Sequence, residues 1–581
     1  MANETKTPWF NNYGDVPHTL DYHKGTMWDS VEDIAKKYPD YIAYDFMGKT
    51  TKYKDFANQV HECAKALLAL GVKKGDRVTI CMPNCPQTVI IFYGCIVMGA
   101  VANMVHPLSS EKEIEFYLNI SHSTCAITLD QFYPKFEAIR GDVNLKSLII
   151  ADIKDALSPI MKIGYALTSG RKIAPIPKDA PIIKWNDFMK GAKTFTGNHV
   201  AKRDINELTV LLYSGGTTGT TKGIMLSSYN FNALAAQIIA TNPMFHPGDK
   251  MLAVMPMFHG FGLGVSIHSM LANGGRCILV PRFTAETYAK DIVKHKCNFM
   301  AGVPTLYEAL LRQPVMEGKD LGHLKGVFSG GDSLSVELKK KLDKFLEDHG
   351  ATVKVREGYG TTECVTASCL TPTHLYKEGS IGQPFPDTYY KIVDVGTNIE
   401  LPYGEEGEIC ISGPSVMLGY LDNPEETHNT LRLHGDGRIW LHTGDLGKMD
   451  DEGFIYFKQR LKRMIISSGY NIYPSQLENV IDGIDCVQMS CVIGVPDPIK
   501  IQKVKAFVML KPGYEANEDT KAAILAHCKK HIAKYAMPYD IEFRESLPKT
   551  LVGKVAYRVL EAEENEKLTK AKEAEAETVN A

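Results

Sequence analysis

The densest chemical signal in the chain is an apolar run, Leu211-Leu212-Tyr213, that passes directly into Ser214-Gly215-Gly216-Thr217-Thr218-Gly219-Thr220-Thr221-Lys222-Gly223. Glycines leave backbone amides free to wrap anionic oxygens, while the hydroxyls and the lysine add donors and charge, so the segment reads as a phosphate-binding loop. A plain flexible turn has no need of so many donors. The spacing is not that of a Walker A loop, G-x-x-x-x-G-K-[ST], and Gly553-Lys554 elsewhere is followed by Val555 rather than a hydroxyl residue. Downstream, Glu357-Gly358-Tyr359-Gly360-Thr361-Thr362-Glu363 offers a carboxylate of the kind that a hard cation beside phosphates requires.

The loop resembles the phosphate loop of the adenylate-forming superfamily, which includes acyl-CoA synthetases, coumarate ligases, luciferases and peptide-synthetase adenylation domains. Thr221 stands where those loops usually carry proline. Further landmarks follow in the family's order between Trp28 and Arg558, and each resemblance implies a role. Tyr359 would pack on adenine, Thr362 would meet the α-phosphate, and Glu363 would hold Mg²⁺. Gly330, Gly331 and Asp332 would form the adenine-side loop. Asp445, in Trp440-Leu-His-Thr-Gly-Asp445, would accept both ribose hydroxyls, with Arg460 beside ribose and phosphate. The implied nucleotide site is completed by Ser214 to Lys222, Gly358, Gly360, Thr361 and Lys554. Lys554, His259, Thr217 and Glu363 are the residues the resemblance makes catalytic. Lys462 falls at the family's hinge, and Ser468, Gly469 and Tyr470 would form the coenzyme A tunnel.

These residues fit one piece of chemistry, in which a carboxylate attacks an α-phosphorus shielded by anionic oxygens and expels pyrophosphate, so that positive charge and positioning dominate. The resemblance implies an ATP-dependent ligase that makes an acyl-adenylate and then an acyl-CoA thioester, with ATP, Mg²⁺ and coenzyme A as its requirements. Met255-Pro-Met-Phe-His259-Gly260-Phe261-Gly262 is the family's acyl-pocket segment. It lacks the aspartate that would pair with an α-ammonium, and an unpaired buried charge is costly, which disfavours amino acid substrates. Its small apolar residues are expected to leave room for an extended chain. The resemblance is closest to long-chain fatty acid-CoA ligases, with an aryl, coumarate-like acid ligase and a carrier-protein loader as alternatives. A catalytically dead binding protein fits less well, since Lys554, Glu363, Asp445 and Arg460 are all present.

The elements that must position these residues are legible as alternation. Arg77-Val-Thr-Ile-Cys81 and Cys125-Ala-Ile-Thr-Leu129 flank a helix-length apolar stretch, a pattern of βαβ units and parallel sheet. From Ser380 to Phe457 shorter runs such as Tyr389 to Val393 and Glu408 to Ser412 alternate with Gly-Pro punctuation and predict antiparallel hairpins. The expected fold class is α/β, a large N-terminal body of stacked α/β subdomains plus a β-rich subdomain (1–461), hinged at Lys462 to a small α+β C-terminal domain (462–560). A charged tail (561–581) follows.

The apolar run Val89 to Val105 is short for a bilayer span and contains Gly94, Gly99 and Asn103, so a buried helix is expected there rather than a transmembrane segment. A net charge of -3 on 581 residues does not favour nucleic acid, and the thirteen scattered cysteines read as reduced core thiols. With no basic-then-apolar leader at Met1, the expected location is cytoplasmic. The stretch Lys154 to Lys172 places Ile160, Ile163 and Leu167 on one helical face beside Lys162, Arg171 and Lys172. Peripheral contact with the inner membrane surface and packing on its own domain are both open for it.

Overall fold

The computed structural model describes residues 5–214, 221–282, 284–467, 470–498, 500–550 and 554–579. The apolar run of the N-terminal third resolves into two elements. Pro86, which has no amide hydrogen to lose, opens a helix over Pro86–Met98 in which every residue is buried. Gly99, at φ +82°, closes that helix, and the chain returns as strand Val101–Met104, parallel to Arg77–Cys81. Strand Cys125–Leu129 pairs in parallel on the other side of Arg77–Cys81, which is the expected βαβ arrangement. A Cβ at Gly94 would sit 2.9 Å from Cys63 Sγ, so that glycine lets this helix press against helix Tyr53–Ala69. Among the described residues no helix is long and apolar enough to cross a membrane.

Among the described residues the strands form four sheets. The first carries Arg77–Cys81 near its centre and reaches the antiparallel hairpin Leu208–Ser214 and Lys222–Ser227, in which Ser214 faces Lys222. The second has a parallel centre of Lys250–Ala253, Phe299–Gly302, Gly326–Ser329 and Val355–Tyr359. Gly330 and Gly331 leave the carboxyl end of one strand and Gly360 to Glu363 that of the next, the place where open α/β sheets bind ligands. The third sheet is antiparallel and contains Tyr389–Val393, Gly407–Ser412, Ile439–Met449 and Ile455–Arg460, as the Gly-Pro punctuation predicts.

The chain passes from Arg460 through the turn Leu461–Arg463, which contains Lys462, into the fourth, smaller sheet beginning at Ile465–Ser467. Arg463 is gripped by the Glu478 carboxylate within this last unit, while Arg460 pairs with Asp445 in the third sheet. Only Leu461 and Lys462 lie between the two anchors. At the other end, helix Tyr557–Val579 runs straight through residue 560, where composition suggested the start of a tail. Leu560 is buried, Glu563 pairs with Arg544, and Glu564 pairs with Lys505, so the first turns of that helix are docked on the small unit. Its charged look reflects ion pairs as well as solvent.

In the Lys154 to Lys172 stretch, helix Pro159–Leu167 has no buried residue, and Ile160, Ile163 and Leu167 are 83%, 66% and 57% exposed. Tyr165 is its partly buried contact with the main core. The apolar face points to solvent rather than into its own domain.

Candidate active site

Three sheets and the small C-terminal unit bring most of the chemistry-bearing residues to one place. Tyr359 ends its strand with the phenol donating to Asp445 Oδ2 at 2.6 Å. Burial and the neighbouring Asp445 carboxylate push the Tyr359 phenol well up. Asp445 is 2% exposed, and its second oxygen, Oδ1, has no hydrogen-bond partner among the described residues. Arg460 Nε stands 3.4 Å from that oxygen, an ion pair without a hydrogen bond. Burial raises the Asp445 carboxyl, with Arg460 and the Tyr359 phenol opposing. An orphaned, buried carboxylate oxygen is costly, and hydroxyl donors such as those of a ribose would satisfy it.

A second corner gathers the phosphate-side groups. Glu363 Oε1 accepts from the Tyr420 phenol at 3.0 Å, and Lys222 Nζ lies 4.9 Å from the Tyr420 ring centroid. Lys222 also pairs with the Glu426 carboxylate, a partner the sequence gives no sign of. Tyr420 reaches this corner because Gly419–Tyr420 is a short strand paired to Met225 and Ile224. Glu363 keeps one carboxylate oxygen clear of that bond, which suits a hard cation.

The backbone around these corners is tight. A Cβ on Gly330 would meet Gly358 O at 3.1 Å, and one on Gly331, at φ +79°, would come within 3.9 Å of Lys554 Cε. Between them they leave a flat slot that side chains would fill. Thr361 is buried and Thr362 opens a short 3₁₀ turn. Val365 and Thr366 then adopt φ +53° and +78°, a region that costs a β-branched residue energy and is found where function demands a fixed shape. A Cβ at Gly360 would fall 2.4 Å from Thr366 O, so this strained pair sits directly on the Tyr359–Glu363 loop.

Lys554 enters from the small unit. Its amide donates to Thr550 Oγ1 at 3.1 Å and its carbonyl accepts from Thr550 N at 2.7 Å, and its side chain lies beside Gly331. Burial lowers its ammonium, while Asp332 supports the charge, Arg460 opposes it and Asp445 supports it. Asp332 itself is exposed, with Oδ1 accepting from Ser333 N at 3.0 Å. His259 accepts the Phe261 amide at Nδ1, 3.2 Å away, which leaves its proton on Nε2 in the neutral ring. Burial and then Lys554 push this imidazole down to about 3, so it is a neutral donor at physiological pH.

Gly215, Gly216, Thr217, Thr218, Gly219, Thr220, Ser468 and Gly469 lie outside the described residues. Their described flanks are Ser214, Thr221 and Lys222 at the hairpin ends, and Tyr470 at the start of strand Tyr470–Ile472.

Beside Gly330 and Gly331 opens a narrow, largely apolar cavity. Phe261, Val265 and Met270 line one side, and Ile238, Ile239, Phe245, Met251, Phe299 and Phe328 line much of the rest. No charged side chain lines it among the described residues, and Asn242 is tied off by Ile238 O at 2.6 Å and by Arg356 at 2.7 Å. Because the parallel strands run toward Gly330, the cavity extends from their carboxyl ends back toward Met251 and Phe299 near their amino ends. Gly260 and Gly262 do not line the cavity: a Cβ at Gly260 would meet Thr366 Oγ1 at 2.1 Å, and one at Gly262 would meet Pro256 O at 2.1 Å. These glycines absorb close packing. The cavity face comes from Phe261 and Val265 on the π-helix Phe261–His268, a form that recurs at functional sites.

Residues 31–421 match the AMP-binding enzyme model and residues 476–554 match the AMP-binding enzyme C-terminal domain model. The chain belongs to the AMP-binding enzyme family. It is 37% identical over 571 residues to a long-chain-fatty-acid--CoA ligase of Bacillus subtilis, covering 97% of this chain and 99% of that one. The fold is similar to that of an ATP-bound RpMatB-BxBclM chimera, at 25% identity and TM-score 0.80, over 93% of this chain and 99% of that one. It is also similar in fold to an anthranilate CoA ligase, AuaEII, solved with anthranoyl-AMP, at 24% identity and TM-score 0.79 over 95% and 98% of the two chains. As a family member the chain is an adenylate-forming acyl-CoA ligase that uses ATP, Mg²⁺ and coenzyme A to form a carbon-sulfur bond.

Proposed function

We propose that the acid activated by this ligase is a medium- or long-chain fatty acid. The observation that carries the proposal is the uncharged cavity running from Gly330 and Gly331 toward Met251 and Phe299, since an alkyl chain gains about 0.8 kcal/mol for each methylene it buries. The similarity to a long-chain-fatty-acid--CoA ligase supports the same reading. At the mouth, the Nε2–H of His259 and the ammonium of Lys554 would orient the carboxylate beside the α-phosphate. Asp445 and Arg460 would hold ribose, Tyr359 and the Gly330-Gly331 slot the base, Glu363 the Mg²⁺ ion, and Ser214 to Lys222 the outer phosphates. Lys462, between two anchored arginines, would be the hinge that withdraws Lys554 and brings Tyr470 and its neighbours to the pantetheine arm.

The exposed face of Ile160, Ile163 and Leu167 beside Lys162, Arg171 and Lys172 is proposed to rest on an anionic membrane surface on the cytoplasmic side, where insoluble acids are presented. The deciding experiment is pyrophosphate release from saturated acids of increasing length and from aromatic acids, with and without coenzyme A. Rising kcat/KM along the alkyl series with acyl-CoA as product supports the reading. Preference for aromatic acids, or adenylate formation with no acyl-CoA product, would transfer it to an aryl ligase or a carrier-protein loader. Formation of ADP in place of AMP would remove it altogether.

A further inference from the structure

The third sheet contains a break in pairing between its strands Gly407–Ser412 and Ile439–Met449. Glu408 faces Leu446 and Cys410 faces His442, so Thr443, Gly444 and Asp445 bulge out opposite Ile409. Gly444 adopts φ +70° in that bulge. Bulges of this kind re-aim a side chain, and here the re-aimed side chain is Asp445. Three bonds pin it: Thr443 Oγ1 donates to Ile409 O at 2.7 Å, the Asp445 amide donates to Thr443 Oγ1 at 3.1 Å, and the Gly444 amide donates to Glu408 Oε1 at 2.9 Å.

Glu408 is buried, and its second oxygen accepts from His442 Nδ1 at 2.8 Å. His442 Nε2 in turn meets His434 Nε2 at 2.9 Å, and both rings are buried. Burial acts to raise the Glu408 carboxyl, but the His442 contact and the Gly444 amide outweigh it and hold the group ionised. His434 is pushed down to about 4 by burial, Lys391 and His442, with Asp436 opposing and Arg432 adding to the fall. Cys410 Sγ also approaches Glu408 and His442 within 4.8 Å. Both His442 nitrogens are already engaged, which leaves none for a metal ion.

We propose that Glu408, oriented by His442 and His434, is a positioning residue for nucleotide recognition: it fixes the Thr443–Asp445 bulge so that the free oxygen of Asp445 meets the ribose. The inference rests on the reading of Asp445 as the ribose acceptor. Asp445 is in register with Arg460 on one neighbouring strand, but on the other side the bulge breaks the ladder, and there the ionised Glu408 supplies the restraint.

The test compares ATP with 2′-deoxy-ATP in acid-dependent pyrophosphate exchange, for the full chain and for Glu408→Gln, His442→Gln and Asp445→Ala. The wild-type chain should prefer ATP by about tenfold or more, the scale of one hydrogen bond to a charged group, and Asp445→Ala should abolish that preference. Glu408→Gln should raise KM for ATP with a smaller change in kcat and lower the preference severalfold, with His442→Gln following in the same direction. If Glu408→Gln does not fold, His442→Gln decides by the same readout. Equal losses on both nucleotides, with the wild-type preference intact, would make Glu408 a packing residue and overturn the proposal. A preference that survives Asp445→Ala would instead overturn the ribose reading on which it rests.

Discussion

Val265→Phe tests the cavity as an alkyl ruler. Val265 lies four residues, about one turn, along the π-helix from Phe261 at the mouth. A ring there would project into space that is empty of protein atoms, so overpacking is avoided and the fold should persist. In the wild-type chain each additional methylene that reaches the cavity should raise kcat/KM about fourfold, the equivalent of ~0.8 kcal/mol. A plug that denies burial to about four methylenes should cost ~3 kcal/mol on a long acid, a loss of about 200-fold, and should spare acids that end above residue 265. The assay is initial-rate pyrophosphate release across saturated acids of increasing length. Equal losses on short and long acids, or none on either, would mean that the acyl chain does not run past Val265, and the fatty acid reading would lose its structural support.

Lys554→Ala should slow adenylate formation by about a hundredfold or more, the scale of one lost electrostatic contact in a transition state, while pre-made acyl-adenylate and coenzyme A still react; equal damage to both steps would refute the division of labour. Lys462→Pro should leave adenylate formation and reduce thioester formation, because it stiffens one of two residues between the Arg460 and Arg463 anchors; an unimpaired second step refutes the hinge. The Lys554 ammonium is lowered chiefly by burial, so it loses its proton at a lower pH than an ordinary lysine, and adenylate formation should fall on an alkaline limb that Lys554→Arg moves upward. Persistence of the limb at the same pH in that variant would assign it to another group. Ile163→Glu should weaken salt-sensitive binding to anionic vesicles and lower activity on insoluble acids more than on soluble ones; unchanged vesicle binding removes the membrane proposal.

What sequence made legible was local chemistry. The strand Arg77–Cys81 and the buried helix inside Val89 to Val105 each depend on near neighbours in the chain. Tyr420 beside Glu363 and Glu426 beside Lys222 were not legible, because the pairing of Gly419–Tyr420 with a strand nearly two hundred residues earlier creates both contacts. Gly260 and Gly262 sit in close packing and not on the apolar cavity, which their residue type alone does not tell. A glycine signals that something comes close, and only the packing tells whether that is a ligand or Thr366 and Pro256. Residue 560 looked like the start of a tail because composition cannot distinguish a solvated glutamate from Glu564 held by Lys505.

All thirteen cysteines are buried and unpaired. For a catalyst that generates activated acyl groups and handles a free thiol, that burial amounts to chemical insulation. Even Cys369, which lies against the apolar cavity beside Gly330 and Gly331, is pushed up to about 12 by burial and presents no thiolate to intercept an adenylate or exchange with a thioester. The same insulation turns the thiols into a record of opening, since alkylation requires the surrounding structure to part. Cys486, Cys491 and Cys528 report from the small unit and Cys63, Cys95 and Cys125 from the large one, so mass-resolved labelling would give each its own clock without adding a probe.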